Sequence, residues 1–292
     1  MASGWGRRFA IVGGFIAAVL VIGAVTVYLV SEGKLRQTYP IPPETLTIPS
    51  DSASIERGHH LATAITKCTE CHGEDLGGQV MDMGPLGALS ASNLTSGKGG
   101  VAPKNDGEWV RAIRHGVRPD GRPLVFMPSM VFAALNAEDL GAIIAYVKSV
   151  PPVDHAIPPT KLGPVGRLMM LTDPGMMLPV VAINHAAPIP TLLPPSLTPE
   201  YGRYLVVTGG CTYCHGEALK GGIQHGPPGT PPSADLTTAG PTARWSESDF
   251  VTALRTGQRP DGTTINPFMP WRSTRLMTDQ EIQAVWAYLR KS

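Results

Sequence analysis

From Phe9 to Val30 the chain carries no charge, and its apolar residues leave no polar face. These 22 residues extend about 33 Å as a helix, enough to cross the hydrocarbon core of a bilayer. The run is longer than the apolar region of a signal peptide, and Thr26 to Ser31 offers no small-x-small cleavage site. Residues 1–30 are therefore expected to form an uncleaved membrane anchor. Arg7 and Arg8 precede the run, and Lys34 and Arg36 follow it. The short N-terminus is the end more easily kept in the cytoplasm, which exports the rest. Residues 31–53, with Pro40, Pro42, Pro43 and Pro49, read as a semi-rigid tether.

Beyond the tether the pattern changes to short amphipathic stretches. Helical spacing covers 54–66, 107–115 and 137–148, then 199–208, 247–256 and 279–290. Ser246-x-x-Asp249 and Thr278-x-x-Glu281 are capping-box patterns, and Gly116 and Gly257 stand where a glycine ends a helix. Strand signals are sparse, so the expected class is all-α. Residues 151–196 hold eleven prolines, too many for a sustained helix. Their apolar content predicts a segment lying across domain surfaces, partly fixing how the domains sit.

The stretches repeat at a period of about 142 residues. Gly58 to Gln79 reads against Gly202 to Gly222, and Asn93-Leu94-Thr95 against Asp235-Leu236-Thr237. Arg118-Pro119-Asp120-Gly121 returns as Arg259-Pro260-Asp261-Gly262, and Phe126-Met127-Pro128 as Phe268-Met269-Pro270. Two copies of one domain follow, at 54–150 and 197–292.

Composition adds a puzzle. Gly (33) and Pro (29) are abundant and charged residues are only 16%. Such a chain is loop-rich, or draws part of its core from elsewhere. The formal charge of +1 gives no reason to expect nucleic acid.

The four cysteines fall in two pairs, each followed by histidine: Cys68-Thr69-Glu70-Cys71-His72 and Cys211-Thr212-Tyr213-Cys214-His215. Two thiols at this spacing add across the two vinyl groups of one haem, and the adjacent histidine then lies under the iron. Two such motifs, at matched places in a duplication, predict two covalently attached c-type haems with His72 and His215 as proximal ligands. A shared zinc site, a redox dithiol and structural disulfides are the alternatives, and each leaves the repeated histidine without a role.

A second axial ligand needed in both copies should occur in both. None of the six other histidines is duplicated, His225 included. Of the methionines, only Met127 and Met269 correspond, each between Phe and Pro. Arg114/Arg255 and Arg118/Arg259 are duplicated too. They are candidate partners for haem propionates, the alternative being solvated cations at helix ends. Asn93/Asp235 reads as a turn residue, and Trp109, Trp245, Trp271 and Trp286 as pocket or core packing.

Each copy resembles a class I c-type cytochrome domain. The tandem is similar to dihaem c-type cytochromes and to cytochrome subunits of bacterial membrane-bound dehydrogenases. The resemblance implies that the first and last helices of each domain cross, with Gly58 against Tyr146 and Gly202 against Tyr288. It also implies single-electron transfer on the periplasmic side of the inner membrane. Partners would be a quinol-oxidising complex, a dehydrogenase, an oxidase or another cytochrome. The alternatives are a subunit bound tightly in a larger oxidoreductase and a dihaem peroxidase-type enzyme. The chain lacks the third motif of trihaem dehydrogenase subunits.

Residues 51–150 carry 9 basic and 11 acidic side chains, against 9 and 8 in 197–292. Glu70 also stands where the second motif has Tyr213. Negative charge favours the oxidised iron, so the first haem is expected to have the lower potential.

Overall fold

The computed structural model describes residues 3–42, 44–101, 105–224 and 229–291. Pro43 of the expected tether, His225, and the ends of the expected anchor and second domain (Met1, Ala2 and Ser292) lie outside the described residues. The fold is mostly helical, with 51% helix and 5% strand.

Helix α1 (Ser3–Arg36) contains the apolar run and continues one and a half turns past it. From Trp5 it is long and apolar enough to cross a membrane, and its most apolar 18-residue stretch, of mean hydropathy 2.6, is not buried in the packed body. The first domain then runs through α2 (Ser52–His60), α3 (Cys68–His72), strands β1 (Gln79–Asp82) and β2 (Gly87–Ala91), α4 (Asp106–His115), α5 (Ser129–Phe132) and α6 (Ala137–Ser149). The connecting segment holds β3 (Lys161–Leu162), α7 (Pro164–Thr172) and α8 (Pro174–Met177). The second domain contains α9 (Pro199–Thr208), α10 (Cys211–His215), α11 (Glu247–Thr256), α12 (Trp271–Thr274) and α13 (Asp279–Leu289).

The repeated helices match the expected ranges closely because their ends are written locally. Both capping boxes form, and Gly116 and Gly257 close α4 and α11 in the left-handed conformation. In each copy the first and last helices cross at a glycine. A methyl group on Gly58 would fall 1.9 Å from the Ala142 carbonyl oxygen and 2.9 Å from Tyr146 Cβ. On Gly202 it would fall 1.9 Å from the Ala284 oxygen and 3.0 Å from Tyr288 Cβ. Backbone meets backbone here, so no side chain has room to yield.

The copies differ by one residue between this glycine and the first cysteine. The first copy absorbs the extra residue in a π turn, Leu61–Ile65, closed by Thr66 N–H donating to Leu61 O at 2.8 Å. An i→i+5 bond lengthens a helix by one residue without ending it.

The all-α class holds, with β1, β2 and β3 adding only a small antiparallel sheet, in which Val80 lies opposite Ser90 and Ala88 opposite Lys161. Two expectations need correction. The 151–196 segment does sustain a helix. Pro164 and Pro174 fall at the starts of α7 and α8, where the missing N–H is harmless, and the other prolines lie outside these helices. Nor is 31–53 a free spacer. Tyr39 N–H donates to Gly121 O at 2.9 Å, and Leu46 and Ile48 pack on the main core. Alternating apolar residues let an extended chain bury one face, and this strap does so against the first domain.

A second small core gathers Val117, Met170, Met177, Leu178 and Val180 with Leu35, Tyr39 and Ile41. It binds the strap and connecting segment to the base of α1. There the Arg167 guanidinium lies 4.2 Å from the Tyr28 ring and donates to Ser31 Oγ at 2.8 Å.

The two cytochrome-like units share one continuous apolar core, with Ile65, Val131 and Leu135 in the same cluster as Tyr201, Leu205 and Val206. A polar seam crosses it. The Arg57 guanidinium lies 2.6 Å from Asp139 Oδ1, Tyr204 Oη donates to Asp139 Oδ2 at 2.6 Å, and Asn136 Nδ2 donates to Tyr204 Oη at 3.0 Å. His60 Nε2 sits 2.9 Å from both Glu281 oxygens.

Two predictions follow from this packing. Gly58→Ala and Gly202→Ala should each destabilise the protein by about 3 kcal/mol or more, as overpacking against backbone does, measured by denaturant unfolding. Burial works to raise the Glu281 carboxyl, but the His60 hydrogen bond and charge, with the Thr278 donors, hold it below the ordinary value of 4.5. A depressed carboxyl stabilises above its unfolded pKa and loses that contribution as pH falls. Thermal stability should therefore drop below about pH 4.5, and Glu281→Gln should flatten that limb of the profile.

Candidate haem-binding sites

Each Cys-x-x-Cys-His motif is a single helical turn, α3 or α10. Residues three apart share a helix face, which puts Cys68 with Cys71 and Cys211 with Cys214. The turn is entered through a left-handed residue, Lys67 (φ 55°) or Gly210 (φ 72°), and left through Gly73 (φ 81°) or Gly216 (φ 78°). The following loop is also matched. Leu76 and Leu219 both take φ 56°, a strained conformation for leucine that persists only where the surroundings enforce it. Gly78 N–H donates to His72 O, and Gly221 N–H to His215 O, each at 2.8 Å.

This frame orients both histidines. His72 Nδ1 is 2.7 Å from Ser92 O, and His215 Nδ1 is 2.7 Å from Ala234 O. A carbonyl only accepts, so Nδ1 carries the proton and Nε2 keeps the lone pair that binds a metal. Burial pulls His72 below the ordinary histidine value, which favours the neutral ring a ligand needs, although the Ser92 bond opposes it.

In the second copy Cys211, His215 and Met269 line one cavity, with Leu236, Phe250, Leu254 and Met277 as apolar wall. That lining, apolar with a few polar donors, suits an apolar cofactor. In the first copy Met127 packs against the main core, and its setting matches. Pro128 and Pro270 share the same backbone (φ −78°, ψ 51° and 54°). Ser129 N–H donates to Met127 O as Trp271 N–H donates to Met269 O.

All four cysteines are free thiols rather than disulfides. Among the described residues no three His, Cys, Asp or Glu side chains gather as a metal-ligand cluster. The residues therefore fit a haem, which brings four nitrogen ligands of its own and asks the protein for two thiols and two axial donors.

The arginines are placed differently from expectation. Arg114 is 2% exposed; its Nε lies 3.2 Å from Glu44 Oε2, and it donates to Ala133 O at 2.7 Å and Ala187 O at 2.5 Å. Arg255 donates to Arg275 O and, at 2.5 Å, to Asp279 Oδ1. Ala133 and Arg275 are equivalent positions, so tying α4 or α11 to the loop after α5 or α12 accounts for this duplication. Arg259 donates to Thr263 Oγ1 and Thr264 O within its own turn. Arg118 is exposed at the matching turn. These are the partners that Arg114, Arg255 and Arg259 have within the protein.

Asn93 and Asp235 are turn residues as expected, accepting from Thr95 N–H at 2.9 Å and Thr237 N–H at 2.8 Å. Trp109 is buried in the core, and Trp286 packs against Phe250 at 5.3 Å.

Sequence reasoning missed a buried polar cluster. His115 Nε2 sits 3.0 Å from Glu44 Oε1, and its Nδ1 2.9 Å from His185 Nδ1. It joins strap, domain and connecting segment, and no periodicity signals such a meeting. Lys67 was also missed. Its signal was visible as a lysine where the other copy has Gly210.

Arg114→Met removes a buried side chain and its bonds to Ala133 O and Ala187 O, leaving Glu44 to His115, and should cost about 2–3 kcal/mol. The more exposed Arg255–Asp279 pair should cost about 1 kcal/mol or less when Arg255 is changed to Met. Thermal melts of the two variants compare them.

A cytochrome c family model matches residues 55–151 and 199–292. The cytochrome c subunit of the quinone alcohol dehydrogenase of Gluconacetobacter polyoxogenes is 29% identical over 280 residues, covering 82% of this chain and 56% of that protein. The fructose dehydrogenase cytochrome subunit of Gluconobacter japonicus is 28% identical over 290 residues, covering 91% and 58%. The gluconate 2-dehydrogenase cytochrome c subunit of Pantoea cypripedii is 34% identical over 272 residues, covering 82% and 60%. The chain thus spans under two thirds of these relatives. Matched Cys-x-x-Cys-His turns, histidines oriented by backbone carbonyls and two matching segments lead to one assignment: the chain belongs to the cytochrome c family, whose domains carry covalently bound haem c.

Proposed function

We propose that this chain is a membrane-anchored dihaem cytochrome that carries electrons as a subunit or close partner of a membrane dehydrogenase. The observation that carries the reading is the second cavity, where Cys211, His215 and Met269 meet in an apolar wall. Residues 1–30 anchor the chain, 54–150 and 197–292 each hold one haem, and 31–53 and 151–196 brace them. The haem domains lie on the outer side of the inner membrane. The relatives are named as cytochrome subunits of dehydrogenases. By that likeness, substrate oxidation belongs to a partner chain.

Cys68, Cys71, Cys211 and Cys214 form the thioethers. His72 and His215 present Nε2 to one face of each ring system, and Met127 and Met269 present sulfur to the other. Bound haem supplies a reversible one-electron couple. His72 with Met127, and His215 with Met269, would hold the iron from both sides, a ligand set that would leave no site for oxygen or peroxide and would raise the potential relative to more donating ligands. The carbonyls of Ser92 and Ala234 hold each ring in place, so a change of charge requires little rearrangement.

Three measurements test this. A pyridine haemochrome assay on the purified chain should give two covalent haems per polypeptide. Met127→His and Met269→His should each lower one of two midpoint potentials while the other stays in place. A single haem, or a methionine variant that changes neither potential, counts against the assignment. Purification in mild detergent should bring a flavin- or quinone-containing dehydrogenase along, and its absence would point to a free carrier.

A further inference from the structure

Lys67 stands immediately before Cys68, as Gly210 stands before Cys211. Both take the left-handed conformation, which glycine adopts freely and lysine does not. The lysine side chain shows what holds the strained backbone. Its Nζ donates to Ile65 O in its own domain and to Gly209 O in the second, both at 2.8 Å. Gly209 lies two residues before Cys211.

The cavity that brings Cys211, His215 and Met269 together is closed on one side by Ala64, Ile65 and Lys67 of the first domain. The second site is therefore composite. Burial pulls the Lys67 ammonium below the ordinary lysine value, and the charges of Cys211, Glu70, Cys214 and Cys68 work against that pull. With the sulfurs tied up as thioethers, Glu70 is the acidic neighbour that remains. Its carboxylate is engaged across the interface by Ser273 Oγ. The matching position at the other motif is Gly210, which has no side chain to lend in return.

We infer that Lys67 is a positioning residue for electron transfer: an ammonium lent by the first domain to the wall of the second haem cavity, which raises the potential of the second haem above that of the first. Oxidising the iron adds positive charge, and a fixed cation in a low-dielectric wall opposes that change. Electrons then run from the first haem to the second. The direction agrees with the order expected from net charge, but its origin is one side chain rather than a screened surface imbalance. The inference rests on the two-haem reading above. It also means that the second domain expressed alone lacks part of its cavity, so only the full chain gives a valid test.

The experiment is a potentiometric titration of the full-length, haem-loaded chain in detergent, as wild type and as Lys67→Met, Lys67→Arg and Lys67→Gly. The wild type should show two midpoint potentials. Lys67→Met should lower the upper one and narrow the gap, and Lys67→Arg, which keeps the charge, should leave the gap near wild type. Lys67→Gly removes the charge while relieving the backbone. It should lower the upper potential as Met does, with a higher melting temperature than the Met variant, so the test survives if Met folds poorly. If the charge-free variants melt earlier but leave both potentials in place, Lys67 is only an interdomain tie and the inference is overturned. Movement of the lower potential instead also overturns it. A wild-type count below two covalent haems overturns the two-haem reading and the inference with it, and the haemochrome assay separates that case.

Discussion

The close crossing of first and last helices governs each domain. At Gly58 and Gly202 the helices approach so nearly that one methyl group would meet a carbonyl oxygen at 1.9 Å. With these helices fixed, the segment between them must close over whatever they leave uncovered. That segment is loops and short helices, and in the second copy it lines an apolar cavity. The haem c that cytochrome c domains carry is an apolar group of the kind such a wall would cover. The abundance of glycine follows from the same geometry, because the loops that wrap the cavity leave each motif through Gly73 and Gly216 at positive φ.

The contact between the copies is a second level of the same problem. Tandem domains often behave as beads on a string, but here one apolar cluster runs through both. Arg57, Asp139, Tyr204, Asn136, His60 and Glu281 satisfy one another along its edge. Tyr204 illustrates the cost of the arrangement: burial, and then the charge of Asp139, push its hydroxyl far above the ordinary tyrosine value, so it stays a donor. Such a seam holds two sites at a fixed separation. For a one-electron carrier this is the useful property, since transfer between two centres depends on distance more than on any side-chain chemistry.

Much of the site was legible in the sequence because its chemistry is local. The two thiols and the histidine lie within five residues of one another, and the helix caps are written within four. Repetition, which acts as an internal alignment, singled out Met127 and Met269, and the structure gives the two the same local backbone setting. The arginines show the limit of that method. Arg114 and Arg255 are duplicated because both brace the same loop, so repetition marked a shared need without naming it. The connecting segment shows another limit. Proline count predicted no helix, but Pro164 and Pro174 stand at first-turn positions, where proline is well tolerated.

By itself the sequence determined the apolar helix, the doubled helical domain and the Cys-His-Met set, since each is encoded by residues near in the chain or by register between the copies. Tertiary structure decided the rest. It folded the expected spacer onto the first domain through Glu44, Leu46 and Ile48. It turned Arg114 to Glu44, seventy residues away, and brought Lys67 to Gly209, 142 residues away, at the edge of the second cavity. Contacts at such separations carry no periodicity or spacing. They exist only once two packed surfaces meet, and the asymmetry between Lys67 and Gly210 acquires its meaning there.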